Sequence, residues 1–266
     1  MTEGDLGERV RTLAGKYTDE ADVYHRVWAP TLRDFAAPFL ERLPHDATAL
    51  LDVGAGVGAV LEVLRRRFPE ATLVGIDRSE GMIARAGRVH GRAVADAQAL
   101  PLRDHSFDIV TMLFMLFHLA DPDAALAASR RVLRPGGVIA TATWGPEEHW
   151  PQLDTWHDLL DEYGAPPAES ILSRHELTDH PDKIAALLSR SGFEDVEVWT
   201  ETPERTWDTD SFVDFAAGMA QAKRRLDSLA PDRREDFLSR ARAELDKLPV
   251  AARVHRTQTV LGLGHI

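Results

Sequence analysis

The sequence predicts an α/β fold, an open and mostly parallel sheet with helices on both faces. Three observations point to it. Short apolar runs alternate with amphipathic helical patterns between residues 48 and 145, as parallel strands joined by right-handed crossovers require. The first run, Leu50-Leu51-Asp52-Val53, passes into a glycine-rich turn, Gly54-Ala55-Gly56-Val57-Gly58. Acids then recur where the next runs end: Asp77 closes the second and Asp96 follows the third.

Taken in chain order, the part up to about residue 43 reads as helical. Tyr24, Val27, Trp28, Leu32, Phe35, Phe39 and Leu40 recur at helical spacing. Pro30 is expected to separate two helices there, and Pro44-His45-Asp46 links them to the first strand. After the glycine turn, Val57, Val60, Leu61, Leu64 and Phe68 form the buried stripe of a crossover helix. Ala71-Thr72-Leu73-Val74-Gly75-Ile76 is the second strand, and Ser79 the N-cap of the helix behind it. A third short strand precedes 94–102, and 106–113 is a fourth. Asp121-Pro122 reads as an N-cap and N1 pair. Arg134-Pro135-Gly136-Gly137 stops that helix and leads into a fifth strand, 138–143. After Gly145 the alternation breaks, and 146–180 is expected to be an insertion over the site. A helix over 181–191 with Gly192 as its stop, a strand over 195–199, a helical stretch over 209–248 and a last strand over 256–262 complete the pattern.

Composition bounds the function. The chain has 266 residues and 44% hydrophobic content, enough for one α/β domain. We expect a core over about 45–200 and 252–266, with a helical lid drawn from 1–43, 146–180 and 205–250. The formal net charge of -12 argues against nucleic acid as the partner. Arg65-Arg66-Arg67 reads as the solvated end of an amphipathic helix. There is no cysteine, which excludes disulfides, thiolate metal sites and a cysteine nucleophile. No metal site is expected: His157, His175 and His180 match no zinc spacing. The first residues lack the pattern of a signal peptide, and the longest apolar run is too short to span a bilayer. A soluble, cytoplasmic protein that does not engage the membrane is expected; a homodimer stays open.

The glycine turn carries the chemistry. Glycine has no Cβ and tolerates positive φ, so backbone there can lie against a ligand. A dinucleotide would place its pyrophosphate at the following helix N-terminus. The carboxylate of Asp52 beside that spot would repel it. Asp52 instead suits a ligand that is cationic nearby, as the amino group and sulfonium of S-adenosylmethionine are. Asp77 lies about 20 residues beyond the turn, where a ribose-binding carboxylate is expected.

With these four motifs in order, the chain resembles the class I S-adenosylmethionine-dependent methyltransferases of the small-molecule type. The resemblance spans roughly 48–145. It implies a Rossmann-like, seven-stranded sheet whose last strand runs antiparallel, with a helical lid. It implies that Asp52, Gly54 and Gly56 line the methionine part of the cofactor, that Asp77 binds the ribose, and that Asp96 and Ala97 meet the adenine. Leu113 and Phe114 would pass beside the sulfonium. The cofactor set expected from this reading is Tyr24, Asp52, Gly54, Ala55, Gly56, Asp77, Arg78, Met82, Asp96, Ala97 and Leu113. S-adenosyl-L-homocysteine is the product.

Methyl transfer is an in-line displacement, so the protein mainly positions the nucleophile, excludes water and, where needed, removes a proton. His118, after the fourth strand, is the candidate general base, since an ordinary imidazole has a neutral form near pH 7. Trp144, His149 and Trp150, after the fifth strand, are candidates for a small-molecule acceptor pocket. Two rivals share the cofactor motifs or the glycine loop. One is an S-adenosylmethionine-binding protein that does not methylate and serves a cyclisation, a rearrangement or a binding role. The other is a nicotinamide-dependent oxidoreductase, since Gly54, Gly56 and Ala59 satisfy G-x-G-x-x-[GA]; against it stand Asp52, the Asp96 segment and the lack of a hydride-transfer pair. A nucleic-acid methyltransferase is disfavoured because Leu113-Phe114-Met115-Leu116 replaces an Asn/Asp-Pro-Pro-aromatic motif.

Overall fold

The structure, a computed structural model, describes residues 3–87, 91–146, 149–168 and 171–266. The chain opens with α1 (Glu3–Val23), a π-helical turn over Tyr24–Trp28 and α2 (Ala29–Leu40). Then come β1 (Ala49–Val53), α3 (Ala59–Arg67), β2 (Thr72–Asp77), α4 (Glu80–Arg85), β3 (Gly91–Val94), β4 (Phe107–Leu113), α5 (Pro122–Val132) and β5 (Leu133–Trp144). The second half holds α6 (Pro151–Glu162), α7 (Pro181–Arg190), β6 (Glu194–Glu201), β7 (Glu204–Thr206), α8 (Thr209–Gly218), α9 (Ala220–Asp227), α10 (Pro231–Leu245), β8 (Val254–Arg256) and β9 (Thr259–His265).

Seven strands form one sheet in the order β3-β2-β1-β4-β5-β9-β6. The first five pair in parallel, and β9 runs antiparallel between β5 and β6. Strand order therefore reverses between β1 and β4, the switch point where open α/β sheets bind ligands. All five residues of β1 are buried, as a central parallel strand covered on both faces must be. Phe35 and Phe39 of α2 with Leu61 and Leu64 of α3 cover one face. Leu126 of α5 with Ile184 and Leu187 of α7 cover the other. Each such side chain contributes about 1.5–3 kcal/mol on burial.

Local signals fix the helix starts. Ser79 Oγ accepts from the Met82 N–H to cap α4, and Asp121 accepts from the Ala124 N–H, with Pro122 opening α5. Gly192, at φ +85, ends the turn after α7.

Three expectations need correction. Pro30 does not separate two helices. It lies in the first turn of α2, and a π turn closed by the Ala29 N–H on the Tyr24 carbonyl carries the helical course across. Strand β5 begins five residues earlier than 138, because Leu133 already pairs with Phe107. The last strand starts at Thr259; residues 254–256 instead pair with β7 as a separate two-stranded ribbon. A third apolar cluster, with Trp156, Trp207, Phe212 and Phe237, holds α6, α8 and α10 together.

Candidate cofactor and active site

The carboxyl ends of β1, β2 and β4 and the inner side of α1 enclose a cavity with an empty volume of about 1020 Å³, part of it open to solvent.

Its floor is the glycine turn. Gly54, Gly56 and Gly58 have φ of +74, +53 and +86, values that an L side chain rarely adopts. The Gly54 and Ala55 N–H groups both donate to the Ile76 carbonyl at 2.9 Å, which ties the turn to the end of β2. A Cβ on Gly54 would lie 2.9 Å from Met115 Cγ. The turn is therefore held open toward the cavity as bare backbone.

Asp77 ends β2 beside it. Its Oδ2 accepts from the Gly56 N–H at 2.8 Å and its Oδ1 from the Ser79 N–H at 2.7 Å. Burial pushes its carboxyl above the usual range, and these backbone donors pull the other way. Two donors leave lone pairs on both oxygens for a ligand. Arg78 Nη2 reaches Asp96 Oδ2 at 2.8 Å, and Asp96 Oδ1 caps the short turn over Ala97–Ala99. Tyr24, Gly54, Ala55, Gly56, Asp77, Arg78, Met82, Asp96, Ala97, Leu113 and His118 all line this one cavity.

Asp52 does not line it. Its side chain sits behind the turn, 2% exposed, with Oδ1 accepting from the Thr111 hydroxyl at 2.7 Å. Oδ2 has no hydrogen-bond partner among the described residues. Burial, against the Thr111 bond and with the nearby charge of Asp77, lifts its carboxyl to about 7. A buried, unpartnered carboxylate oxygen is costly, and a cation close to the turn would offset that cost. This orphan atom, the bare glycine backbone and the two lining carboxylates fit S-adenosylmethionine.

His118 sits deeper than an ordinary surface imidazole. Its Nδ1 lies 3.0 Å from the Leu172 carbonyl and its Nε2 2.9 Å from the Tyr17 hydroxyl. Burial holds its pKa down at about 4. Phe114, which follows β4, has φ +56, a strained conformation for a bulky residue of the kind found at functional sites. Its ring centroid lies 4.3 Å from that of Trp144.

The three residues expected to line an acceptor pocket are dispersed. Trp144 packs against Phe114 but does not line the cavity. His149 points outward, its side chain 79% exposed and paired with Asp154. Trp150 is 6% exposed and stacks on His255 at 4.0 Å within the helical cluster. The position of these residues after β5 suggested the cavity, but the start of α6 carries the last two away from it. In their place α1 supplies Val10, Leu13, Ala14 and Tyr17. Their spacing of three, four and seven residues was the available signal for an amphipathic helix facing inward.

The fold and site define a nucleoside-cofactor protein with a glycine cradle at the sheet's switch point. Comparison with known proteins makes this specific. Residues 51–141 match the family described as "Methyltransferase domain". The malonyl-[acyl-carrier protein] O-methyltransferase of Dechloromonas aromatica is 32% identical over 227 residues, 82% of this chain and 80% of that protein. The ubiquinone/menaquinone biosynthesis C-methyltransferase UbiE of Dinoroseobacter shibae is 31% identical over 210 residues, 70% of this chain and 81% of that one. Among solved structures, the YcgJ protein from Bacillus subtilis superposes with a TM-score of 0.54 at 17% identity, covering 87% of this chain and 98% of that one; it shares the fold. The chain belongs to the class I S-adenosylmethionine-dependent methyltransferases, as an enzyme of the small-molecule type. Among the described residues, no helix is long and apolar enough to cross a membrane.

Proposed function

We propose that the cavity binds S-adenosylmethionine together with a small-molecule acceptor that has an apolar or aromatic body. The cofactor supplies a methyl group on an activated sulfonium. The chain's residues hold it: Asp77 accepts from the ribose hydroxyls, Asp96 and the Ala97 backbone meet the adenine, and Gly54 and Gly56 give backbone to the methionyl part. Asp52, behind the turn, supplies negative charge on the side where the amino group would lie. Met82, Leu113 and Tyr24 close the walls. The observation that carries this assignment is Asp77: two backbone N–H groups fix its carboxylate at the cavity edge, with lone pairs to spare.

The acceptor end is apolar, with Leu32, Phe114 and Met115 on its walls. We place the lid in α1 with α2 and in α6, α8, α9 and α10, over a core that includes the sheet, and we place the protein in the cytoplasm. Two measurements test the reading. Calorimetry should show binding of S-adenosylhomocysteine and none of NADH. Mass spectrometry of acceptor mixtures should show the gain of one methyl group. Cofactor binding without any methylated product would leave the non-methylating rival instead.

A further inference from the structure

We propose that Arg205 and His255, on the β7–β8 ribbon, anchor a carboxylate at the end of the acceptor remote from the methylated atom, so that the acceptor is an apolar or aromatic carboxylic acid. This rests on the reading of the cavity as the methyl-transfer site.

The two residues are cross-strand partners, Arg205 on β7 and His255 on β8. Directly opposed side chains share one face of a ribbon, with Cβ atoms about 4.5–5.5 Å apart. Arg205 is half-buried, its Cζ 4.4 Å from the centroid of the Trp207 ring. Its Nη1 donates to the Thr31 hydroxyl at 2.6 Å. Among the described residues, Nε and Nη2 have no hydrogen-bond partner and no carboxylate pairs with the guanidinium. The acids whose charge reaches it are held elsewhere: Asp34 accepts from Arg33, and Asp208 from the N–H and hydroxyl of Ser211. The open Nε–Nη2 edge is the fork that takes both oxygens of a carboxylate. His255 is 9% exposed, and its buried Nδ1 has no partner among the described residues. Its ring stacks on Trp150 at 4.0 Å, and burial with the charge of Arg205 holds its pKa down at about 4. A carboxylate at this pair would neutralise the guanidinium and give the imidazole N–H an acceptor, offsetting the cost of both orphaned groups.

Rings connect this pair to the cavity. Phe114 lines the cavity, and its centroid lies 4.3 Å from that of Trp144. Trp144 lies 6.1 Å from Trp28, and Trp28 lies 6.1 Å from His255. Trp28 and Trp144 are only half-buried, so part of each ring is open to a flat apolar body. Charge agrees with an acid. In the loaded cavity the sulfonium and amino group of the cofactor face Asp52 and Asp77, and Arg78 pairs with Asp96. The cavity's carboxylates are thus each matched by a cation, and their field on a distant carboxylate is weak.

The test compares two probes, 1-naphthaleneacetate and its uncharged amide, by calorimetry on protein saturated with S-adenosylhomocysteine. The acid should bind at least about 10-fold more tightly than the amide, the scale of a bond to a charged group. Arg205→Met keeps an apolar stem over Trp207 and removes the charge; it should erase that preference. Trp144→Ala should weaken the acid by about 10-fold. Equal affinity for acid and amide, binding of neither, or a preference that survives Arg205→Met overturns the anchor. Unchanged affinity in Trp144→Ala overturns its link to the methyl-transfer site. Should Arg205→Met fail to fold in thermal unfolding, the acid–amide comparison in the wild-type protein decides alone. Failure to bind S-adenosylhomocysteine would sink the cavity reading instead, and the same comparison without cofactor would still judge the Arg205 site.

Discussion

Gly81 tests how tightly α1 closes the cavity. It lies inside α4, where alanine would ordinarily be favoured over glycine by about 0.5–1 kcal/mol. Here a Cβ would lie 2.7 Å from Thr18 Cγ2 and 2.8 Å from both the Thr18 Cα and carbonyl oxygen. Two of these atoms are backbone and cannot swing aside, so α1 must move. Overpacking of this kind costs about 1–3 kcal/mol. The displacement also breaks the bond between the Thr18 and Ser79 hydroxyls, 2.9 Å long and worth about 1 kcal/mol. Taking about 2 kcal/mol for the clash and about 1 for the bond, the docked state of α1 loses about 3 kcal/mol, near 100-fold in its equilibrium. Gly81→Ala should therefore lower hydrogen-exchange protection along α1 and weaken S-adenosylhomocysteine binding in calorimetry, leaving protection in β1 and β4 unchanged. Wild-type protection in α1 together with wild-type affinity would refute the claim that α1 walls the site.

Asp77→Ala should reduce calorimetric affinity for S-adenosylhomocysteine by at least about 100-fold, since bonds to a charged group are worth about 1.5–3 kcal/mol each; unchanged affinity would remove it from the site. Asp52 has its carboxyl raised from 3.8 to about 7 by burial. The folded state therefore holds a proton that the unfolded chain has released, and stability falls as pH rises from about 4 to about 7. Asp52→Asn, neutral throughout, should match wild type in thermal unfolding near pH 4 and exceed it at pH 8 by up to about 4 kcal/mol, at about 1.36 kcal/mol per unit. A constant difference across that window would show that Asp52 is already ionised. Trp150→Ala should cost about 3–5 kcal/mol of stability in chemical denaturation, through loss of the stack on His255; a stable variant with only a raised KM would return Trp150 to the acceptor site.

Much of the cavity's sheet-edge side was legible because its signals are local. The acids Asp52 and Asp77, the glycine turn between them and the caps at Ser79 and Asp121 each declare a backbone event within a few residues. The side walled by α1 was not, because it depends on which long-range neighbour a helix finds. Trp150 and His149 follow β5 closely in sequence, yet Pro151 starts α6 at once and turns them toward α8 and solvent. Tyr17 lies 101 residues from its partner His118, a distance no spacing rule spans. The π turn also left no mark beyond Pro30, since its extra residue changes hydrogen bonding rather than composition.

That turn has its own consequence. Each residue advances a helix by about 100°, and the wider winding over Tyr24–Trp28 absorbs one such step between α1 and α2. The inward stripe of α1 and the sheet-facing stripe of α2 are thereby phased separately, although one unbroken helical course carries both. Substitutions that reshape the α1 wall of the cavity can accumulate without disturbing how Phe35 and Phe39 seat on the sheet.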